Sequence, residues 1–471
     1  MTKQEAAIKY ITENYLDYRR LRHDIVADKL QVRLLGDEAK GKRQEYWKEL
    51  SKHDINSIVC HCAQEYDANI TSREVMTALQ SDLIPDVHPL REYVNALPRY
   101  TPDQPDWIDF VAQQVRVRET SADRPKGLSE RTACCQTTML LDRPYGAERP
   151  TNLTGEAGLT VSEAHGLTSS SSQSERSKAD RLWRVCFKKW FVAMVASWMK
   201  DEVVNHQVLV LIGKQGIFKT TWLEHLIPPH LRAYACKLAN SNDLNKDERL
   251  RIAEFGLISL DEIDSMNNRE LNQLKSVITA TDVNERAAYA YTKERRVRLA
   301  SFCASGNRRD FLTDITGNRR WLPFEVEEIQ NPFYTILPYE RMYAQAWALA
   351  QDPLFSYWFE LDEIEVLEQH NQHFRDESNE EQLLPILFDV PAEGKGEFMT
   401  TAQISERLVT YGNIKKPMAL GRLGVLMGSM GYRSVTRGNR QARLRGWIVY
   451  QRDTEEIAAN KKLLAKECVT V

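Results

Sequence analysis

Apolar positions along the chain follow two patterns, a helical spacing in some segments and short unbroken runs in others. The stretch RLWRVCFKKWFVAMVASWM, from about residue 180, has the heavily apolar face of an amphipathic helix. HQVLVLI, at residues 206–212, is a short apolar run that ends at Gly213, as a buried parallel strand ends before a turn. TTWLEHLI then predicts a second helix. The order of strand, glycine-containing loop and helix is the local context of a phosphate-binding loop.

The same patterns predict a multidomain α/β protein. Residues 1–117 contain amphipathic pieces such as REVMTALQSDL, which predict a mostly helical N-terminal domain for packing or oligomerisation. Residues 118–179 are rich in Ser, Thr and Gly and have too few large apolar residues to offset the entropy of ordering, which predicts a disordered linker or insertion. The remaining predicted segments are a compact core (180–330), a helical extension with an acidic linker (331–396), a compact C-terminal unit (397–455) and a tail (456–471).

Composition narrows the class of protein. The chain has 471 residues, a net charge of -3 and 27% charged residues, which excludes a chain that is basic throughout but not local basic patches. Its eight cysteines form no C-x-x-C pair and no disulfide framework. The first residues lack the apolar core of a signal peptide, and the longest apolar run, WFVAMVASWM, is about half the length that a transmembrane helix needs. We therefore expect a soluble cytoplasmic protein with reduced thiols and no membrane partner.

The loop GKQGIFKTT matches the phosphate-binding pattern G-x-x-x-x-G-K-[ST] except that Phe218 replaces the second glycine. In such loops the backbone N–H groups surround the phosphates, the lysine neutralises charge and the hydroxyl holds Mg²⁺. Lys219 and Thr220 have the residue types for the last two roles. The predicted ATP-binding residues are Gly213, Lys214, Gln215, Gly216, Ile217, Phe218, Lys219, Thr220 and Thr221.

Two carboxylates follow another buried strand. FGLISLDEID is mostly apolar up to Asp261 and Glu262, which places both side chains at the strand's C-terminal tip, where open α/β sheets bind ligands. Asp261 is predicted to hold Mg²⁺ together with Thr220, and Glu262 to orient and activate the attacking water. Alone, this pair would favour the interpretation as a helix cap after a strand, but it follows a phosphate loop in the same predicted core.

Further polar residues flank the last two strands of this core. VRLASFCASGN ends at Asn307, a candidate sensor of the γ-phosphate or the lytic water that could also simply start a turn. Arg319 and Arg320 precede the strand-like WLPFEV and are candidates for an arginine finger, which stabilises transition-state charge in a neighbouring subunit's site. The alternative is a pair of surface arginines.

The motifs GKQGIFKTT, LISLDEID, RAAYAYTKERRVRLASFCASGN and DITGNRRWLPFEV together resemble the virulence-associated protein E family. Its members are P-loop ATPases, similar to superfamily-3 helicases and AAA+ ATPases, found on phages, plasmids and integrative elements. The resemblance is strongest over residues 180–330 and extends to SDLIPDVHPLREYVNALPRY upstream. It implies an AAA+ or superfamily-3-like core that takes ATP and Mg²⁺ at the residues named above, with Asn307 as sensor and Arg319 or Arg320 as finger.

The resemblance also bears on turnover and on partners. Many family members carry glycine where this chain has Phe218, which puts the rate of ATP turnover, more than nucleotide binding, in question. No primase-like acidic constellation occurs in residues 1–117, so we expect a primase of the same system to be a separate protein.

Two basic segments are candidate DNA-binding elements. RAAYAYTKERRVR, at residues 286–298, suits a hairpin whose tyrosines stack on bases while its cations contact phosphates. The segment is equally compatible with a solvated edge strand in which Arg296 serves a neighbour's ATP site. The C-terminal unit predicts a winged helix with helices at 400–411 and 417–430, or else a basic face for docking a protein. The predicted DNA contacts are Tyr289, Tyr291, Lys293 and Arg295 from the hairpin, Lys415, Lys416 and Arg422 from the helices, and Arg437, Arg440, Arg443 and Arg445 from the wing.

The expected function is that of a DNA-dependent ATPase or helicase of a mobile element, assembled as a homo-oligomeric, hexameric ring with ATP at the subunit interfaces. A module that binds ATP and DNA without unwinding, for regulation, is the first alternative. A defence ATPase that senses invading nucleic acid is the second.

Overall fold

The computed structural model describes ten stretches of the chain: residues 2–16, 20–35, 45–66, 69–118, 178–238, 246–285, 294–312, 318–391, 396–439 and 442–460. These residues form two compact units. The first unit contains the residues up to 307 together with 324–361, and the second contains 308–323 and the residues from 362 onward. The segment predicted to be disordered lies almost entirely outside the described residues.

The N-terminal part of the first unit combines helices, as predicted, with a four-stranded sheet that was not predicted. The strand order is β3-β2-β1-β4, and β1 pairs with β4 across a long stretch of sequence, with His23 opposite Asp86. KLQVRLL in β2 does alternate apolar and polar residues, as a half-buried strand does, but a two-residue strand such as β4 is too short to show a periodicity. The elements are α1 (Lys3–Ile11), β1 (Leu21–Asp24), β2 (Lys29–Leu35), β3 (Glu45–Glu49), α2 (Lys52–Tyr66), α3 (Ser72–Leu79), β4 (Asp86–Val87), α4 (Pro89–Asn95) and α5 (Trp107–Ala112).

A six-stranded sheet of order β5-β12-β6-β11-β8-β7 follows, in which β6, β11, β8 and β7 are parallel. The strands predicted from HQVLVLI, FGLISL, VRLASFCASG and WLPFEV are confirmed as β6, β8, β11 and β12. The elements are β5 (Val115–Val117), α6 (Lys178–Met199), β6 (Val208–Ile212), α7 (Lys219–His225), β7 (Ala235–Leu238), α8 (Lys246–Glu254), β8 (Leu257–Leu260), α9 (Asn268–Thr279), β9 (Asp282–Glu285), β10 (Glu294–Val297), β11 (Ser301–Gly306), β12 (Trp321–Ile329) and α10 (Tyr339–Gln351).

The tryptophans of α6 fix this helix to the sheet. Trp190 and Trp198 are at most 1% exposed, and each indole N–H donates to a backbone carbonyl at 3.1 Å, that of Phe302 in β11 and that of Gly256 before β8. Trp222 of α7 is also fully buried and contacts the aromatic residues of α6. Buried aromatic side chains with satisfied N–H groups combine a large apolar contact with a fixed orientation. The helix that follows the phosphate loop is therefore held in place by the core.

The second unit ends in a helix-and-sheet layer in which β14 and β15 both pair antiparallel with β16. Its core residues include Ile404, Leu408, Leu423 and Trp447, each 5% exposed or less. The elements are α11 (Leu361–Asn371), α12 (Asn379–Leu387), β13 (Phe388–Asp389), β14 (Glu397–Thr400), α13 (Thr401–Gly412), α14 (Leu420–Ser429), β15 (Arg433–Asn439) and β16 (Ala442–Gln451).

The helices of this layer confirm one predicted boundary and correct another. The side chain of Thr400 caps α13 and accepts from the N–H of Gln403, in agreement with the predicted helix start at residue 400. The next helix begins at Leu420 and not near residue 417, because α13 ends in a left-handed Asn413 and Pro417 disfavours a helical residue before it. Lys415 and Lys416 were therefore wrongly assigned to a helix. They lie, both exposed, in the connection between α13 and α14.

In the part of the chain that the structure describes, none of the helices combines the length and the apolar content needed to cross a bilayer.

Candidate functional site

A cavity lies at the sheet edge where β6, β8 and β11 end. Gly213 begins the loop after β6, and its N–H donates to Gly306 O of β11 at 3.1 Å, which joins the loop to the neighbouring strand. The cavity measures about 330 Å³, at the lower end of the range of roughly 300–1,000 Å³ for ligand sites. Its lining residues are Gln215, Gly216, Phe218, Lys219, Thr220, Thr221, Asp261, Glu262, Ser305, Gly306 and Asn307. The structure thus brings together most of the site residues predicted from three separate motifs.

Lys219 is 7% exposed, and its ammonium group lies inside the loop. Nζ donates to the carbonyl oxygens of Gly213 at 2.8 Å and Lys214 at 2.7 Å, and to Asn307 Oδ1 at 3.3 Å. Burial lowers the pKa of Lys219, and nearby carboxylates oppose this effect only in part. The contact with Asn307 connects the predicted phosphate-binding lysine with the predicted sensor.

Asp261 is the centre of a hydrogen-bonded cluster. Its Oδ1 accepts from Ser305 Oγ at 2.7 Å and from Thr220 Oγ1 at 3.2 Å, and the two hydroxyls lie 2.9 Å apart. Its Oδ2 lies 2.6 Å from Lys237 Nζ. Burial opposes the ionised form, but the hydrogen bonds from Lys237, Ser305 and Thr220 outweigh it and hold the pKa of Asp261 below its ordinary value. The carboxylate is therefore ionised at neutral pH beside the hydroxyl that was predicted to share a metal with it.

Glu262 and Asn307 complete the polar side of the cavity. Glu262 is exposed, and its carboxylate accepts no hydrogen bond from the described residues, which leaves both oxygens available to water or ligand. Asn307 donates its backbone N–H to Asp264 Oδ1 at 3.1 Å, and this contact fixes the tip of β11 to the turn after β8. Asn307 is thus held by its backbone while its side chain faces Lys219.

The backbone of the loop supplies unused donors. The N–H groups of residues 214–221 donate no hydrogen bond to any residue that the structure describes. Gly216 has a φ of +86°, a conformation that favours glycine, and nothing lies within 4 Å of the position of a Cβ there. At Gly213 a Cβ would lie 2.7 Å from Val326 O of β12, which excludes other residues. A loop with free N–H groups next to a lysine fits an anion with several oxygens.

Phe218, the departure from the loop pattern, has a left-handed backbone with φ of +66° and ψ of +18°. A bulky residue rarely adopts this conformation, and it costs on the order of 1 kcal/mol or more. The ring makes an edge contact with Phe333 at a centroid distance of 6.4 Å, and Phe333 in turn contacts His225 of α7 at 5.6 Å. The backbone at this position therefore has a left-handed conformation that glycine adopts readily, although a phenylalanine side chain does not favour it.

Arg319 and Arg320 lie in the second unit, in a 3-10 turn (Asn318–Arg320) directly before β12. Arg319 is exposed, and burial lowers the pKa of the half-buried Arg320. The turn is held by the fully buried Asn371 of α11, whose Nδ2 donates to the carbonyls of Asn318 at 2.8 Å and Trp321 at 3.0 Å. The arginine pair is thus presented on a rigid turn.

The predicted hairpin is described only at its base. β9 and β10 pair antiparallel with Glu285 opposite Glu294, and Tyr289, Tyr291 and Lys293 lie outside the described residues. Arg295 is exposed and pairs with Asp282 across the two strands at 2.6 Å.

Arg296, which could have served a neighbour's ATP site, contacts carboxylates of its own chain. Its guanidinium lies 2.6 Å from Asp28 and 3.6 Å from Glu254. The base of the hairpin is therefore joined to the N-terminal layer by ion pairs.

The arginines of the β15–β16 hairpin lie on two faces. Arg443 and Arg445 are exposed and two residues apart, so they share one face of the hairpin. Arg437 is opposite Leu444, which places it on the other face, and its guanidinium lies over the ring of Phe398 at 4.7 Å. Arg440 lies outside the described residues, and Arg422 is exposed on α14.

Three residues of the site escaped the sequence motifs. Ser305 and Asp264 lie in SFCASGN and LDEID, segments from which only Asn307, Asp261 and Glu262 were predicted as site residues. Lys237 lies in β7, a short edge strand of sequence ACKL that carries no recognised motif. The parallel pairing of β7 with β8 brings Lys237 to Asp261, and only the sheet topology could have indicated this contact.

The fold and site define a parallel α/β sheet with a candidate phosphate-binding edge. The family described as Virulence-associated protein E-like domain matches residues 164–382, just under half of the chain, and this match supports the family assignment that the motifs predict. The match is broader than the expected 180–330 but does not reach residues 81–100, which also resemble the family's upstream region.

Known proteins and structures give a second comparison. No curated protein matches the chain. Among solved structures, the apo structure of the NrS-1 C-terminal region is 12% identical, with 95% of this chain and 100% of that chain covered and a TM-score of 0.40. An A-form apo structure of the same region is 11% identical, with 92% and 98% covered and a TM-score of 0.37.

The left-handed backbone at residue 218 gives a stability prediction. Phe218→Gly and Phe218→Ala both remove the ring, but only glycine adopts a positive φ without steric cost. We expect the glycine variant to be more stable than the alanine variant by ~1 kcal/mol in denaturant unfolding. Equal stability of the two variants would show that this residue is not left-handed.

Proposed function

We propose that the cavity binds ATP with Mg²⁺ and hydrolyses the nucleotide. The observation that carries this proposal is the convergence of Lys219, Asn307 and the Thr220–Asp261–Ser305 cluster on one cavity beside the free N–H groups of the loop. Each group is of the type that phosphate and Mg²⁺ require: N–H and ammonium donors for the anion, and carboxylate and hydroxyl oxygens for the metal. The donor set therefore fits both partners.

The roles of the residues follow from their positions. Lys219 and the loop N–H groups would bind the phosphates, Thr220 and Asp261 would hold Mg²⁺, and the metal would supply charge neutralisation on the phosphate oxygens. Glu262, whose carboxylate accepts no hydrogen bond from the described residues, would accept a proton from water. Asn307 would orient that water or the terminal phosphate. Arg319 or Arg320 would act as the finger in a neighbouring subunit's site.

We further propose that this activity serves DNA replication of a mobile element. The family match and the resemblance of the motifs to superfamily-3 and AAA+ ATPases support this proposal. In it, the protein forms a hexameric ring with ATP between subunits, and the β9–β10 hairpin contacts DNA in the ring. A primase, where the system uses one, would be a separate partner.

The C-terminal layer supports a role in duplex binding. The order α12, β14, α13, α14, β15, β16, with β14 and β15 on either side of β16, is the arrangement that a winged helix requires. The exposed Arg443 and Arg445 would contact phosphates from the wing. Lys415, Lys416 and Arg422 would contact them from the connection between the helices and from α14.

Loss of the lysine gives the first functional prediction. Lys219→Ala should abolish detectable ATP hydrolysis, with and without DNA, because the other lysine of the loop, Lys214, is exposed and does not line the cavity. Wild-type hydrolysis should increase when single- or double-stranded DNA is added. Phosphate release is the measurement, and Lys52→Ala, an exposed lysine of the N-terminal layer, is the control. Absence of hydrolysis by the wild-type protein with every DNA tested would contradict the ATPase proposal.

A nucleotide-gated DNA-binding module is the second candidate, and the strained Phe218 is the observation that favours it. Such a module would bind ATP and DNA but turn ATP over slowly. Strand displacement at saturating protein separates the two candidates. Unwinding supports the helicase, whereas nucleotide-dependent DNA binding without unwinding supports the module.

The two faces of the wing give a prediction with an internal control. In Arg443→Ala/Arg445→Ala, the log–log salt dependence of duplex binding should become less steep by nearly one unit per lost phosphate contact. Arg437→Ala removes an arginine from the opposite face and should change the slope less. Fluorescence anisotropy over a range of salt concentrations measures both. An unchanged slope in the double variant would exclude phosphate contacts by these two residues.

A further inference from the structure

Lys237 forms an ion pair with the carboxylate that is proposed to hold the metal. It lies on the edge strand β7, opposite Ser259 of β8, and its Nζ is 2.6 Å from Asp261 Oδ2. The side chains of Lys237 and Asp261 are 45% and 30% exposed. Because Oδ1 of Asp261 already accepts from Ser305 and Thr220, the ion pair engages the remaining oxygen.

An ammonium group and Mg²⁺ cannot both occupy the same side of this carboxylate. Mg²⁺ takes oxygen ligands at roughly 2.0–2.1 Å in a strict octahedral arrangement and keeps several of its waters. An ammonium group in hydrogen-bond contact with Oδ2 takes up that space, and its positive charge repels the metal. Occupation of Oδ2 by a metal or its water shell therefore requires Lys237 to move.

The surroundings of Lys237 allow this movement. Half-exposed ion pairs contribute only about 0–1 kcal/mol, so the contact is readily exchanged. Lys237 also lines a neighbouring cavity of about 250 Å³, where Glu224 of α7 lies on the same wall. Asp261 raises the pKa of Lys237 most, and Glu224 and Glu262 add to this effect, so other carboxylates can receive the ammonium group.

We propose that Lys237 is a positioning residue that competes with Mg²⁺ for Asp261 and so limits how strongly the metal strengthens nucleotide binding. This inference rests on the proposed function, because it concerns the same site. It assigns to β7 a role in setting the metal requirement of the site. It also explains why a lysine lies next to a carboxylate oxygen of Asp261 that would otherwise be free to bind a metal.

The test is the ratio of two dissociation constants for a fluorescent ADP analogue, one measured in EDTA and one at saturating Mg²⁺. We expect Lys237→Met to raise this ratio roughly three- to tenfold. The reason is that the substitution removes a positive charge a few ångströms from a metal ion in a partly exposed site. Lys237→Arg keeps the charge and should leave the ratio near that of the wild type. Lys237→Gln is a second neutral variant in case the methionine variant folds poorly.

Lys214→Met is the matched control. It removes one positive charge from the loop without contact to Asp261, so both dissociation constants should change together and their ratio should not. An unchanged ratio in both neutral Lys237 variants, with nucleotide still bound, would overturn this inference and leave the proposed function intact. Failure of the wild-type protein to bind the analogue under either condition would overturn both.

Discussion

The site depends on one shared acceptor, the Oδ1 atom of Asp261. Through it, Thr220 at the start of α7, Ser305 near the end of β11 and the tip of β8 are held within hydrogen-bond distance of one another. Since those elements come from three separate parts of the sequence, their parallel order in the sheet is what makes the cluster possible. Lys219 of the loop contacts Asn307, which lies two residues after Ser305.

Rigid packing beneath the edge maintains this arrangement. The buried tryptophans of α6 donate to carbonyls of the central strands, and Trp222 ties α7 to the same core. This packing compensates for the strained backbone of Phe218. A cost on the order of 1 kcal/mol is small compared with the free energy gained by burying several aromatic side chains. The left-handed backbone before Lys219 is thus formed without a glycine at residue 218, and the side chain of Phe218 contacts Phe333.

Structural features that local sequence patterns encode were predicted correctly, whereas features that depend on the pairing of distant segments were missed. Buried parallel strands are continuous apolar runs, so β6, β8 and β11 and the polar residues at their ends were predicted correctly. The N-terminal sheet was missed because its strands are short and charged and β4 pairs with β1 over a long separation, although the alternation in β2 was a usable signal. Lys237 was missed for a related reason, since its contact with Asp261 arises from the neighbouring position of β7 in the sheet. The left-handed backbone at Phe218 contradicts residue preference, and only the surrounding structure determines it.

The most direct test of the central claim is a structure determined at saturating Mg²⁺ with a non-hydrolysable ATP analogue. If the cavity binds ATP with Mg²⁺ as proposed, we expect phosphate density over the N–H groups of residues 214–221. The ammonium group of Lys219 should then be turned from the loop carbonyls toward the phosphates. We also expect a metal between Thr220 and the carboxylate of Asp261. An analogue bound elsewhere on the molecule, with this cavity filled only by solvent, would contradict the proposal.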